Sequence, residues 1–225
     1  MQKIIHGIHQ FRANVFLPQR ERFEQLARKR QTPQAFFITC SDSRIDPCLI
    51  TQTEPGDLFI LRTVGNIIPP YRNDPCGEAA TIEYAVGALE IPNIILCGHT
   101  HCGAIQNLLD PKKVSDLPAV AARFAHAEAT RRIVLERYAH LDPDTATALA
   151  VQENVLVQLN HLRTHPRVAA GLARGNLHLH AWVYALESGE VLAYDPAGGS
   201  FTPLAEEGPL PMPPAGRLVA PVQTV

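Results

Sequence analysis

Short apolar runs recur at AFFIT (35–39), DLFIL (57–61), NIILC (93–97) and LHLHAWVYAL (177–186), rich in β-branched or aromatic residues and bounded by Pro, Gly, Asp or Asn. Such runs predict buried strands. Between them the apolar positions take a helical period. In GEAATIEYAVGALE (77–90), Ile82, Ala85, Val86 and Leu89 share a face, and over 145–163 so do Leu149, Leu156, Leu159 and Leu162. Strands alternating with helices predict an α/β fold built on a mainly parallel β-sheet flanked by helices. ESGEV (187–191) reads as a turn that folds the last strand back, which adds an antiparallel edge strand. Residues 1–202 are expected to form one domain, with 1–34 as an N-terminal helical arm. From Pro203 the chain becomes Pro-rich, and 203–225 is expected to be an extended C-terminal tail. The charged helical segments 11–30 and 117–163 are either solvated faces or, in part, a subunit interface.

Charge and composition narrow the function classes. The 225 residues are 46% hydrophobic and carry 20 Lys+Arg against 22 Asp+Glu. A chain this balanced has no basic stripe for nucleic acid. No run approaches the length of a membrane span, and the N-terminal MQKIIHGIHQFRANVF lacks the charged and apolar regions of a secretory leader, so a cytoplasmic location is expected. Five cysteines in a reducing compartment point to metal ligands, nucleophiles or buried small hydrophobes rather than a disulfide framework. Cys48 and Cys97 read as buried.

Two strand ends carry the chemistry. ITCSDSRIDP (38–47) places Cys40, Asp42 and Arg44 at alternate positions after an apolar run, and ILCGHTHCGAI (95–105) ends another run in His99 and Cys102, with a helix starting near Gly103. In open parallel sheets ligands bind beyond the carboxyl ends of strands, so these residues can converge. Two thiolates and an imidazole suit zinc, and a catalytic zinc keeps a fourth position open. Cys102 at a helix N-terminus should have its thiolate favoured by the helix dipole. His101, by alternation in an extended segment, would face the same side as His99. The competing reading leaves Cys40 and Cys102 as core residues and His99 as a hydrogen-bonded loop residue.

CSDSR (40–44) with HTHCG (99–103) resembles the paired signature of the β-class carbonic anhydrases. The resemblance continues through EPGDLFILRTVGNIIPP, GEAATIEYAVGALEI and HAWVYALESGEVLAYD and covers most of residues 10 to 196. Within the class, FITCSDSRIDPCLIT and HAEATRRIVLERY look most like the cyanobacterial carboxysome-associated branch and its bacterial relatives.

The resemblance implies zinc held by Cys40, His99 and Cys102, and reversible hydration of CO2 to bicarbonate and a proton by zinc-bound hydroxide. Asp42 matches the carboxylate that accepts a hydrogen bond from that hydroxide or, in a closed inactive form, ligates zinc itself; Arg44 matches its partner. Gln31 and the Gly103 amide match substrate donors, and Phe59, Val64 and Tyr84 are candidate apolar walls. A regulated type binds bicarbonate beside a tryptophan, an arginine and a tyrosine; Arg62 and Tyr184 match the last two, but Phe37 stands at the tryptophan position, which argues against that regulation. The family also implies a homodimer or higher homo-oligomer, with carboxysome proteins as candidate partners and the carboxysome as an alternative location. Three other readings stay open: a COS or CS2 hydrolase on the same fold, a catalytically silent carboxysome assembly component, and a structural zinc or redox-thiol module.

Overall fold

The computed structural model describes residues 1–73 and 76–206. It divides into two units, Met1–Thr32 and the remainder from Pro33. In the first, α1 (Gln2–Phe11) runs through a π-helical turn (Arg12–Phe16) and is followed by α2 (Arg20–Arg28). Phe23 joins the two segments, its ring 5.9 Å from Phe11 and 5.2 Å from Phe16. Ile4, Ile8, Phe11 and Val15 recur at helical spacing and are exposed.

The second unit is built on a six-stranded sheet in the order β2-β1-β3-β4-β5-β6. Its strands are β1 (Ala35–Cys40), β2 (Leu58–Thr63), β3 (Asn93–His99), β4 (His178–Tyr184), β5 (Val191–Asp195) and β6 (Ser200–Pro203). The first four are parallel; β5 and β6 return antiparallel. This is the expected α/β class, extended by one strand. The expected antiparallel return is the β4–β5 pair, and β6 adds a further antiparallel strand at the edge. Its four residues end at Pro203, as suits an edge strand. Of the expected C-terminal tail, residues 207–225 lie outside the described residues.

Central strands read as continuous apolar runs because both faces are covered. All of β1 is buried and β3 is buried from Ile94 to His99, whereas β4 alternates between buried and half-buried positions. After α6 (Pro118–Phe124) and α7 (Glu128–Arg137), the main helix, α8 (Pro143–Thr164), crosses β3 and β4. Asp142 caps it, its carboxylate accepting the amides of Asp144 and Thr145, with Pro143 in the first turn where a missing N–H costs nothing. Its buried face runs through Val151, Val155, Leu159 and Leu162, while Leu149 and Leu156 are only half-buried. The expected stripe is therefore rotated toward the valines. The other predicted helix begins as α4 (Gly77–Glu83) and continues as a π-helical turn over Tyr84–Ala88.

Candidate metal centre

Strand order places the site. The chain leaves β1 for β2 on one side, and β3 then adds to β1 on the other, so β1 and β3 flank the switch in direction. Their carboxyl ends open the crevice where such sheets bind ligands. Cys40 is the last residue of β1 and His99 the last of β3, and Cys102 caps α5 (Gly103–Leu109). One ligand atom from each of Cys40, His99 and Cys102 lies within 4.8 Å of the other two, and all three residues are buried. The two sulfurs are 3.9 Å apart.

The histidine is prepared for a metal. Nδ1 of His99 faces the Thr100 carbonyl at 2.8 Å and therefore carries the proton, so Nε2 presents a lone pair. That Nε2 is buried and has no hydrogen-bond partner among the described residues. An orphaned buried acceptor beside two thiols is costly unless something electropositive sits there, and a soft dication fits the donor set.

The thiols are unequal. Cys40 is held below its ordinary value, first by the hydrogen bond from the Cys102 thiol and then by His99 and the backbone amides of Asp42 and Gly65. Cys102 moves up, because of Cys40 and burial, despite the amides of Ile105 and Ala104 at the start of α5. The helix-terminus effect expected for Cys102 is thus outweighed by its neighbour. Cys97, two residues before His99 and fully buried, is pushed up to about 12 by burial alone as the leading cause, which marks it as an inert core thiol. Cys48, expected to be buried, is half-exposed on α3 (Pro47–Thr51), where Asp46 caps the helix by accepting the Leu49 amide.

Asp42 and Arg44 follow Cys40 on the connection to α3. Arg44 donates Nε to Oδ1 of Asp42 at 2.9 Å, Nη2 to Oδ2 at 2.7 Å and its own amide to Oδ1 at 3.0 Å. Nη2 also reaches the His101 carbonyl at 3.0 Å. The guanidinium holds the Asp42 carboxyl well below the usual carboxylate range. Oδ2 of Asp42 lies 3.8 Å from Nε2 of His99, so the carboxylate borders the cluster without bonding to the imidazole.

Arg62 matches the arginine of a regulatory pocket in the sequence, but the fold gives it another task. Its guanidinium is committed to main chain here, donating to the carbonyls of Cys40 (3.0 Å), Asp42 (2.6 Å) and Ile45 (2.8 Å). It fixes the path of the residue run that carries the site. Phe37 is fully buried, edge-on to Trp182 at 6.2 Å. His101 does not join the cluster: its φ of +53° breaks the expected alternation, and its exposed ring lies 3.7 Å from Glu187. Gly103 is the first residue of α5. Phe59 is half-buried, 6.1 Å from the Tyr84 ring, while Tyr84 and Val64 are 50% and 41% exposed. Gln31 is exposed and belongs to the N-terminal unit.

Comparison with known proteins converges on one family. Residues 35–191 match the family model described as carbonic anhydrase. The chain is 52% identical to a carbonic anhydrase of Synechocystis over 87% of its length and 71% of that protein's, and 43% identical to one of Synechococcus elongatus over 99% and 84%. The solved structure of the β-carbonic anhydrase CcaA superposes with a TM-score of 0.89 at 48% identity, covering 93% of this chain and 94% of that one. The fold and the Cys-His-Cys cluster define a β-class zinc enzyme, and the chain belongs to the carbonic anhydrase family. Zinc is its metal and CO2 hydration its activity.

Proposed function

We propose that Cys40 Sγ, His99 Nε2 and Cys102 Sγ are the zinc ligands, and that Asp42, locked by Arg44, orients the attacking water in the conversion of CO2 to bicarbonate. The buried Nε2 of His99, close to both sulfurs and without a hydrogen-bond partner among the described residues, carries this reading. Zinc, when bound, supplies the positive charge that makes a water acidic near neutral pH. Asp42 works as an acceptor: it stays ionised under the Arg44 fork and so takes a hydrogen bond rather than competing for the proton. With both oxygens engaged by Arg44, the carboxylate is also restrained from swinging onto the metal, which would block the reaction. Two anionic thiolates donate more charge than imidazoles would, so the rate should rise toward alkaline pH.

Gln31 and the Gly103 amide are proposed substrate donors, with Phe59, Val64 and Tyr84 as apolar walls. Exposure of Val64 and Tyr84 supports a pocket completed by a second copy of the chain. The exposed stripe of Ile4, Ile8, Phe11 and Val15 likewise supports a homo-oligomer. Among the described residues no helix is long and apolar enough to cross a membrane. A carboxysomal address rests on likeness to the cyanobacterial enzymes and is tested by fractionation of the native host.

Stopped-flow CO2 hydration by the zinc-loaded protein between about pH 7 and 9, with COS hydrolysis on the same sample, tests the proposal. Fast hydration rising with pH is expected. Fast COS turnover with slow hydration would move the assignment to a sulfur substrate, and silence on both would leave a structural role.

A further inference from the structure

The turn leaving β2 is an unusual piece of backbone beside the metal centre. Gly65 and Asn66 both lie in the left-handed region, with φ of +66° and +48°, a conformation that persists only where surrounding structure enforces it. Gly65 is wedged: a Cβ on it would meet the Ala104 Cβ at 3.2 Å, in the first turn of α5. Gly65 therefore packs directly against the start of the helix that Cys102 precedes.

A buried polar chain on α8 enforces the turn. Asn154 Nδ2 donates to the Gly65 carbonyl at 3.0 Å. Asn154 Oδ1 accepts from Gln158 Nε2 at 3.1 Å and from Thr130 Oγ1 at 3.3 Å. Gln158 Oε1 accepts the Ile68 amide at 2.8 Å, and His161 Nδ1 faces the Ile68 carbonyl at 2.7 Å. Asn154, Gln158 and Thr130 have no exposed surface. Two carboxamides and an imidazole from one helix thus hold the 64–68 turn at Gly65 and Ile68. Apolar side chains at 154 and 158 would bury more cheaply, so the polar pair is explained by what it holds.

We infer that Asn154 and Gln158 are positioning residues of the metal centre, holding the 64–68 turn so that the first turn of α5, which Cys102 precedes, keeps its place. Removing the clamp lets the turn relax from its left-handed conformation and withdraws the support it gives the first turn of α5. Cys102 then loses its place relative to Cys40 and His99, and the metal is held less firmly. This rests on Cys40, His99 and Cys102 being the zinc ligands.

The test is Asn154→Leu, close in shape but without the donor, read by the thiolate-to-cobalt absorption band of the cobalt(II)-substituted protein, zinc loss to a chelator and the pH profile of CO2 hydration. The expected result is a shifted band, zinc loss about tenfold faster and a displaced pH midpoint. Leu162→Ala, on the same helix and fully buried but outside the hydrogen-bonded chain, controls for stability; it should lower the unfolding midpoint while leaving band and pH midpoint in place. If Asn154→Leu fails to fold, Asn154→Ser, too short to reach the Gly65 carbonyl, decides by the same readouts. A folded variant at 154 with wild-type band and pH midpoint overturns the inference, as does an equal shift in Leu162→Ala. A wild-type protein with no thiolate band would instead overturn the ligand assignment beneath it.

Discussion

Arg44 holds Asp42 as a fork: Nε to Oδ1 at 2.9 Å and Nη2 to Oδ2 at 2.7 Å, with the Arg44 amide adding a third donor. A lysine ammonium is a point charge and cannot span both oxygens. Arg44→Lys should therefore lower CO2 hydration about 10- to 100-fold while zinc content stays at the wild-type level. Stopped-flow rates with metal analysis on the same sample check this; wild-type turnover in the lysine variant would remove the role given to the fork.

Two buried cysteines on neighbouring strands should behave oppositely. Cys40 sits in the cluster with its thiol lowered, whereas Cys97 is buried with its thiol raised to about 12. Cys40→Ser should retain about a tenth or less of the zinc after dialysis against chelator. Cys97→Ala should keep its metal and its activity. Equal zinc loss from both variants would contradict the ligand set.

Gly98 is required by close approach. A Cβ there would meet Val155 Cγ2 at 2.9 Å and Val151 Cγ1 at 3.0 Å, where α8 crosses β3. Overpacking of this kind costs about 1–3 kcal/mol. Gly98→Ala should lower the unfolding midpoint accordingly, and because His99 is the next residue, zinc retention should fall with it. Adding Val155→Ala should recover part of both, since it removes the atom in the way. A fully stable single variant would show that the strand has slack.

Histidines set an acid limit on stability. Burial lowers His165 below its ordinary 6.5, aided by nearby His161 and opposed by the Pro69 carbonyl that faces its Nε2 at 3.1 Å. A depressed folded value means the unfolded chain binds the proton first, so stability is full above 6.5 and is lost as pH falls from there through the folded value. Urea midpoints should drop across that window. His165→Gln should flatten the slope; an unchanged slope would assign the effect to other groups.

Local chemistry was legible in the sequence where it stood at strand ends. Cys40, His99 and Cys102 follow apolar runs, and parallel strands carry such positions to one edge of the sheet. What depends on distant contacts was not. Asn154 and Gln158 are polar residues on a helix whose period is set by its leucines, yet they are fully buried because the turn after β2 supplies their partners. The same wide burial of α8 shifted its face from Leu149 and Leu156 to Val151 and Val155. Strand β6 escaped notice because four residues ending in proline leave no alternation to read. His101 lost its expected direction to a left-handed backbone, which no hydropathy pattern records. Arg62 enters the sequence reading only through its match to a regulatory pocket; its bonds to three main-chain carbonyls depend on the fold.

X-ray absorption at the zinc edge of the loaded protein tests the central claim most directly. The account predicts two sulfur ligands at about 2.3 Å, one nitrogen at about 2.0 Å and one further light atom, the signature of a site with an exchangeable position. A shell of three or four sulfurs, or one with no sulfur at all, would contradict the assignment of Cys40, His99 and Cys102 as the catalytic zinc ligands.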